Sequence, residues 1–189
     1  MERKSKKPLF YMIVSSRLGK VGIVWIQKER TTSVVRVLQP HKDHSLAEFI
    51  HGHFPGATER SDQALQQLSE HIKVYMQGRV VEFSLDCLDM EQCYEFQRRV
   101  LRTLYKVPRG KVISYGQLAE RISAPRGARA VGTALARNPF PIILPCHRVV
   151  KSTGHLGRFG GGVELKKAYL EIEGIRIDEK EKILPDYFW

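Results

Sequence analysis

Near the start of the chain, apolar and polar residues alternate with the two-residue period of a β-strand. The period recurs in three segments, with a turn between the first two, so we predict a β-meander. The segments are residues 10–14, 21–26 and 34–38, and the turn is residues 17–20. Residues 80–85 repeat the alternation and predict one more short strand.

A helical period follows the meander. Apolar residues recur at three- and four-residue intervals on one predicted helix face, at Leu65, Leu68, Ile72 and Tyr75. Ser61 can cap the beginning of this helix, and Gly78 can close its end. The strands and the helix together predict a small α+β domain over residues 1–88.

The second half of the chain has helical periodicity. Apolar stripes predict helices over about 90–106, from 114 to a turn at 125–127, over about 128–137 and over 163–173. Ser114 and Gln117 match a capping box, and the two short helices around the turn predict a helix-turn-helix. Three prolines make residues 138–150 extended rather than helical. We therefore predict a mainly α domain over 89–177 and a tail over 178–189.

Charge adds a candidate partner to this α+β picture. Basic residues outnumber acidic ones, 31 to 20, which gives a formal net charge of +11. This excess favours nucleic acid as a polyanionic partner, and the alternative is that the charge only confers solubility. No apolar stretch long enough for a signal sequence or a membrane span follows the basic start. We therefore expect a cytoplasmic protein that does not bind membranes.

The strongest chemical signal is Cys146 followed directly by His147. The three cysteines have no paired spacing, which argues against a disulfide framework and leaves the thiols free. Neighbours in an extended chain point to opposite faces, so a direct hydrogen bond between the two side chains is awkward. A bridging water or a bend in the chain would let the imidazole take the thiol proton and lower the effective thiol pKa. The alternative is a structural thiol beside a surface histidine.

A histidine that acts as a base needs an acceptor that orients its ring. Glu173 is the candidate, because a carboxylate at the end of the last predicted helix opposes the helix dipole and favours a cationic partner. Glu171 is the nearest competitor. The other two cysteines, Cys87 at a strand end and Cys93 on a helix stripe, are predicted to belong to the core.

The predicted helix from Ala128 has an unusual exposed face. Opposite its buried stripe lie one arginine and three small residues, namely Arg129, Gly132, Thr133 and Ala136. Small residues permit the close approach of another surface, such as a DNA backbone, and Arg129 could then probe the duplex interior or a phosphate. The alternative is that Gly132 and Ala136 pack against a neighbouring helix.

A metal site is not expected. Four histidines form a loose cluster in surroundings typical of a loop, with no cysteine nearby, at His41, His44, His51 and His53. The glycines at 157 and 160–162 instead predict a flexible lid over Cys146.

Several short motifs within residues 91–174 together resemble the O6-alkylguanine-DNA alkyltransferase family. They are Ile113-Ser114-Tyr115, Ala128-Arg129-Ala130-Val131-Gly132, Arg137-Asn138-Pro139, Pro145-Cys146-His147-Arg148-Val149 and Gly160-Gly161-Gly162. The resemblance implies two domains: a ribonuclease H-like N-terminal domain with a small sheet and a helix, and a mainly α domain with the helix-turn-helix. It also implies a monomer without a cofactor, whose partner is double-stranded DNA carrying alkylated guanine.

The resemblance further implies a repair reaction. An alkylated guanine is flipped out of the duplex through the minor groove, and its alkyl group passes irreversibly to Cys146, once per molecule. O4-alkylthymine is an open second substrate. His147 would be the base, acting through a water and oriented by Glu173, and Asn138 would brace the turn beneath the nucleophile.

The remaining roles that the resemblance implies concern DNA and the base pocket. Arg129 would replace the flipped base in the stack, and Tyr115 would turn the neighbouring phosphate and hydrogen-bond the purine. The rest of the DNA-binding face would be Ala128, Gly132, Thr133 and Ala136, and the pocket would be lined at Val149, Phe159 and Gly160. Many members have Tyr-Ser where this chain has Phe159-Gly160, so two hydroxyls are missing from the lid. The zinc ligands of some relatives have no counterpart in this chain.

Three other classes of protein share part of the pattern. A recognition-only relative binds lesions without repairing them but replaces the cysteine, so Cys146 argues against it. A helix-turn-helix transcription factor would not require Pro-Cys-His-Arg and should carry polar base-reading residues on its second helix. A cysteine hydrolase would turn over esters or peptides without DNA.

Overall fold

The computed structural model of the chain describes residues 7–29, 31–40 and 45–189. Its N-terminal part contains a four-stranded sheet with the strand order β3-β2-β1-β4. The strands are β1 (Leu9–Ser16), β2 (Gly19–Lys28), β3 (Thr31–Leu38) and β4 (Thr58–Glu59). Strands β1 to β3 pair antiparallel as the predicted meander, and the unpredicted β4 adds to β1 in parallel.

Helices cover both faces of this sheet. Residues Val21 to Trp25 of β2 are all buried, as expected for a central strand with a helix on each side. The helices of the N-terminal part are α1 (Leu46–His53) and α2 (Gln66–Met76). On one face, Trp25 belongs to the same apolar cluster as Ile72 of α2, and on the other, Val24 joins Ile50 of α1.

The C-terminal part is mainly helical, as predicted. Its elements are α3 (Glu95–Tyr105), β5 (Ile113–Ser114), α4 (Tyr115–Arg121), α5 (Ala128–Ala136), β6 (Val149–Val150) and α6 (Val163–Ile172). The Ser114–Gln117 capping box opens α4, and Leu118 packs in the same core as Val131 of α5. One apolar cluster runs from the N-terminal sheet through α3, α4 and α5 to Tyr169 of α6.

The end of the chain docks on the body. Ile183 is buried in a second apolar cluster with Val112 and Leu170. The Val112 N–H donates to the Tyr187 carbonyl at 2.8 Å, and the Trp189 N–H donates to the Val112 carbonyl at 2.9 Å. The tail therefore braces the segment that leads into β5 and α4.

Several predicted elements are corrected by the structure. Residues 80–85 form no strand, because the edge of β3 is bonded instead by the segment at Cys87 to Asp89 and by Pro139. Asp62, not Ser61, caps the turn before α2. Cys93 is buried but lies before α3 rather than on it.

The predicted loop around the histidines is corrected as well. His51 and His53 lie on α1, whereas His41 and His44 fall outside the described residues. No helix within the described ranges is long and apolar enough to cross a membrane. The α+β class is thus confirmed, and the division at residues 88/89 and 177/178 stays a prediction.

Candidate functional site

The candidate nucleophile lies in a tight turn rather than in extended chain. Cys146–Arg148 form one turn of 3-10 helix, which corrects the extended conformation predicted for residues 138–150. The turn leads directly into β6, which pairs in parallel with β5. Tyr115 follows β5 immediately, so this two-stranded pairing brings the start of α4 next to the Cys146 turn.

Asn138 shapes the loop that leads to Cys146. Its side-chain Nδ2 donates to the Leu144 carbonyl at 2.8 Å, and its Oδ1 accepts from the Phe140 N–H at 3.0 Å. Ile142 in the same loop has a backbone φ of 76°, a conformation that is costly for a β-branched residue and persists only where its surroundings enforce it. The predicted bracing position of Asn138 is therefore present.

His147 is fully buried and bound to Glu173. Its Nε2 lies 3.0 Å from Glu173 Oε1, and its Nδ1 has no hydrogen-bond partner among the described residues. Burial lowers the pKa of His147, and the Glu173 carboxylate opposes part of that shift. The alternative of a surface histidine is therefore wrong. Glu171, the competitor for Glu173, is exposed.

Glu173 collects hydrogen bonds from several donors. Arg148 makes a bidentate pair with it, with Nη2 at 2.8 Å from Oε1 and Nε at 3.0 Å from Oε2. Burial alone would raise the pKa of Glu173, but the charges and hydrogen bonds of His147 and Arg148 hold it well below its usual range. The carboxylate is therefore ionised beside the imidazole.

Tyr75 is a site residue that the sequence did not reveal. It lies on α2, and its buried hydroxyl donates to Glu173 Oε1 at 2.7 Å and lies 3.1 Å from His147 Nε2. Burial and the adjacent Glu173 charge raise its pKa, which keeps the hydroxyl protonated. In the sequence, Tyr75 is indistinguishable from the other apolar positions of the α2 stripe.

The Cys146 side chain is half-buried. Burial raises the pKa of its thiol, while a hydrogen bond with Asn138 and the positive charge of Lys166 offset part of the shift. The resting sulfur is thus a protonated thiol at neutral pH, and a neighbouring base must remove its proton before it attacks.

Lys166 of α6 is the second residue that the sequence did not reveal. Its ammonium group is buried and donates to the Val149 carbonyl at 2.6 Å and to the Leu156 carbonyl. Burial lowers its pKa to about 8. Lys166 therefore fixes the backbone at Val149, where we predicted the pocket for the base.

The predicted lid lies close to the site. The half-buried Phe159 meets Tyr169 edge to face, with ring centroids 6.1 Å apart, and Gly160 beside it is exposed. Tyr115 is half-buried, and a Cβ at Gly157 would lie 3.6 Å from its hydroxyl. The structure therefore brings Tyr115 beneath the glycine-rich loop.

The surface of α5 agrees in part with the predicted DNA-binding face. Arg129, Thr133 and Ala136 are exposed, and Ala128 is half-buried. Gly132 is half-buried and faces Tyr115, where a Cβ would lie 3.8 Å from the ring. The helix-packing alternative therefore holds for Gly132 but not for Ala136. Gln97 of α3 fixes the end of α5 by donating to the Arg137 carbonyl at 2.9 Å.

The described residues contain no group of three or more His, Cys, Asp or Glu side chains that could hold a metal ion. Most polar groups of the site are instead engaged with one another or with the backbone, whereas His147 Nδ1 and the Tyr169 hydroxyl have no partner among the described residues. The arrangement holds a thiol next to a buried imidazole–carboxylate pair, which is suited to nucleophilic chemistry at the sulfur.

The part of the chain that contains Cys146, His147 and Glu173 is similar to known proteins. The family profile described as 6-O-methylguanine DNA methyltransferase, DNA binding domain, matches residues 95–175. A methylated-DNA–protein-cysteine methyltransferase from Methanothermobacter thermautotrophicus is 43% identical over 115 residues, which cover 61% of this chain and 64% of that protein. One from Saccharolobus islandicus is 35% identical over 120 residues, covering 64% of this chain and 76% of that protein.

Solved structures match over more of the chain. Mycobacterium tuberculosis OGT in complex with DNA superposes with a TM-score of 0.69 at 30% identity, covering 87% of this chain and 92% of that chain. The O6-methylguanine-DNA methyltransferase of Pyrococcus kodakaraensis gives a TM-score of 0.63 at 30% identity, covering 88% and 99%. The similarity therefore includes the N-terminal sheet as well as the helical part.

Proposed function

This chain belongs to the O6-methylguanine-DNA methyltransferase family, and from that premise we propose that it repairs DNA by taking the alkyl group of O6-alkylguanine onto Cys146. The observation that carries the proposal is that the Cys146 thiol lies in the same turn as His147, and that His147 is buried against Glu173. Double-stranded DNA carrying the lesion is the proposed partner.

The proposed reaction is a displacement at a saturated carbon. The Cys146 thiolate attacks the alkyl carbon, the S–C bond forms, and the C–O6 bond breaks with its electron pair passing to guanine. The leaving guanine takes up a proton and remains in the DNA. The product is a thioether, which no group in the site can cleave, so each molecule acts once.

His147 is the proposed base. Its Nε2 is occupied by Glu173 and Tyr75, so Nδ1 is the nitrogen available to take the thiol proton, through a bridging water as predicted. Glu173 orients the ring and stabilises the imidazolium that forms. Asn138 supports the loop that carries the nucleophile.

The proposed DNA contacts lie on α5 and at the start of α4. The small exposed side chains of Thr133 and Ala136, with Ala128 and Gly132 beside them, allow α5 to enter the minor groove. Arg129 fills the space of the extruded base, whose flipping costs a few kcal/mol. Tyr115 turns the adjacent phosphate and hydrogen-bonds the purine.

The flipped base is proposed to lie between Val149 and the glycine-rich loop. Lys166 holds the Val149 carbonyl in place, and the Gly160 N–H is available to donate to the guanine oxygen. Phe159 offers an apolar surface without a hydroxyl. The range of alkyl groups accepted is therefore set at Phe159 and Gly160.

The proposal is tested by incubating the protein with a duplex oligonucleotide that contains O6-methylguanine and weighing the intact protein. We expect one methyl group per molecule, located on Cys146 by peptide mapping, with no further uptake at excess DNA. Cys146→Ser should bind the same duplex and gain no mass. Cys87→Ser, at a half-buried cysteine outside the site, should react like the unaltered protein.

Other results of the same experiment would select a rival. An unmodified protein that still binds the lesion would indicate recognition without repair. Binding without preference for the lesion would indicate a transcription factor, and repeated turnover of an ester without DNA would indicate a hydrolase.

A further inference from the structure

A buried hydroxyl beside His147 lacks a hydrogen-bond partner in the described part of the chain. Tyr169 lies on α6 and is fully buried, and its hydroxyl is unpaired among the described residues. Burying a hydroxyl without a partner costs stability, and a phenylalanine would fill the same space without that cost. An unsatisfied group of this kind therefore calls for a functional explanation.

Tyr169 occupies the centre of the site. Its ring centroid lies 5.1 Å from that of His147, 6.1 Å from that of Phe159 and 6.4 Å from that of Tyr75. The Tyr169 ring therefore contacts His147, Phe159 in the glycine-rich loop, and Tyr75 on α2.

The second unpaired polar atom belongs to the neighbouring ring. His147 Nδ1 is buried and without a partner within the part of the chain that the structure describes, while Nε2 is taken by Glu173 and Tyr75. Within the described residues, the adjacent rings of His147 and Tyr169 thus each carry one unsatisfied polar atom, and Cys146 directly precedes His147 in the chain. A buried water typically makes about three hydrogen bonds, and the Cys146 thiol, His147 Nδ1 and the Tyr169 hydroxyl supply three.

We propose that Tyr169 is a positioning residue for the nucleophile, whose hydroxyl donates a hydrogen bond to the water that links Cys146 Sγ to His147 Nδ1. This inference rests on the proposed function. The thiol proton passes to the water, the water passes a proton to Nδ1, and the sulfur keeps the electron pair that attacks the alkyl carbon. Tyr169 gives up no proton and holds the water in line.

The electrostatics of the site agree with this role. Burial raises the pKa of Tyr169, and the negative charge of an ionised Cys146 raises it further, so the hydroxyl remains a donor while the thiolate forms. Other titratable and charged groups surround Tyr169 and Cys146. They are Tyr75 on α2, Tyr115 on α4, Arg148 in the Cys146 turn, Lys166 on α6 and Glu173 at the end of α6.

The test is Tyr169→Phe in the full chain. We expect the rate of methyl transfer from an O6-methylguanine duplex to fall about tenfold, the loss typical of one hydrogen bond to a charged site. The pH profile of the rate should move to higher pH, because thiolate formation becomes harder. Alkylation of Cys146 by iodoacetamide, followed by peptide mapping, should show the same displacement without DNA.

The matched control is Tyr105→Phe. Tyr105 also buries part of its ring, but its hydroxyl donates to the Phe83 carbonyl outside the site. Its loss should lower the unfolding midpoint and leave the rate unchanged. Tyr169→Phe should slow the reaction and displace its pH profile, which Tyr105→Phe should not do.

Two outcomes for Tyr169→Phe would overturn the inference and leave the proposed function standing. One is the rate and pH profile of the unaltered protein, which would make the hydroxyl idle. The other is a slower reaction with an unshifted profile in both assays, which would reduce Tyr169 to packing. If the unaltered protein itself takes up no methyl group, the proposed function fails, and the inference fails with it.

Discussion

At the scale of single residues, Glu173 has the most demanding environment in the site. It is buried at the end of α6, where the helix dipole disfavours a carboxylate, yet His147, Arg148 and Tyr75 all direct polar atoms at it. The carboxylate bound to the imidazole is thus itself fixed from three directions. His147, the proposed base, is therefore held in one ring position without help from substrate.

Arg129 gives a prediction at this scale. It is exposed near the start of α5, and its proposed role is needed only when a base must leave a duplex. We expect Arg129→Ala to slow methyl transfer from duplex DNA by about 10- to 100-fold, because the unstacking cost of a few kcal/mol is no longer offset. Transfer from a free O6-alkylguanine base should stay within twofold of the unaltered rate. Equal losses on both substrates, measured as second-order rate constants, would rule out the proposed role of Arg129 in filling the space of the extruded base.

Single residues also show what the sequence could and could not predict. Cys146, His147, Glu173 and Asn138 could be assigned from adjacency, helix ends and family resemblance, and the structure brings them together. Tyr75, Lys166 and Tyr169 could not, because each occupies an ordinary apolar or helical position in the sequence. Their significance comes from long-range contacts, such as that between Tyr75 and Glu173, which no local pattern encodes.

At the scale of elements, α4 joins the candidate nucleophile to the proposed DNA-binding face. Its first residue is Tyr115, its cap is Ser114 in β5, and β5 pairs with the strand that follows Cys146. The cap therefore fixes where Tyr115 lies relative to the sulfur.

The capping box of α4 gives a second prediction. Ser114 Oγ accepts from the Gln117 N–H at 3.1 Å, and the Ser114 N–H donates to the Gln117 side chain at 2.9 Å. Ser114→Ala should cost about 1 kcal/mol of unfolding free energy, which lowers the thermal midpoint by about 2–4 °C in a chain of this size. The exposed Ser152→Ala is the control and should leave the midpoint unchanged. A shift equal to that of the control would show that the box contributes nothing.

The predicted elements formed where the apolar period reflects strand pairing or helix packing, and they failed to form where the same period has another origin. Strands β1 to β3 and helices α4 and α5 formed as predicted, because pairing or helical packing is what produced their periods. Residues 80–85 alternate because Val81, Phe83 and Leu85 pack on the core from one side, but the segment does not pair with a strand. Helix α1 was missed because its eight residues include only two buried apolar side chains.

At the scale of the whole molecule, the titratable groups of the site also determine how the stability of the fold depends on pH. Glu173 has a lowered pKa, so its contribution is present above its ordinary pKa of about 4.3 and is lost as the pH falls. His147 has a lowered pKa because burial disfavours its charged form, so acid below about pH 6.5 also favours the unfolded chain. Both groups therefore lower the free energy of unfolding as the pH falls.

A third prediction follows for unfolding by urea at a series of pH values. The free energy of unfolding should fall steadily below about pH 6.5. Glu173→Gln should lose about 3 kcal/mol at pH 7, because His147 and Arg148 are left without their buried partner. Its curve should also be flatter than that of the unaltered protein between about pH 5 and pH 3.

The control for this series is Glu171→Gln, an exposed neighbour, which should follow the unaltered curve. Parallel curves for the unaltered protein and Glu173→Gln would show that this carboxylate is not what makes the fold sensitive to acid.

The Tyr75–Glu173 hydrogen bond also has a consequence for how the protein is made. Its partners lie 98 positions apart, so at 5–20 residues per second the ribosome adds Glu173 roughly 5–20 s after Tyr75. During that interval Cys146 and His147 are synthesised before the carboxylate that binds the imidazole exists. A nascent chain therefore holds the Cys146 thiol without the carboxylate proposed to orient its base, and the proposed single reaction waits until Glu173 has been added.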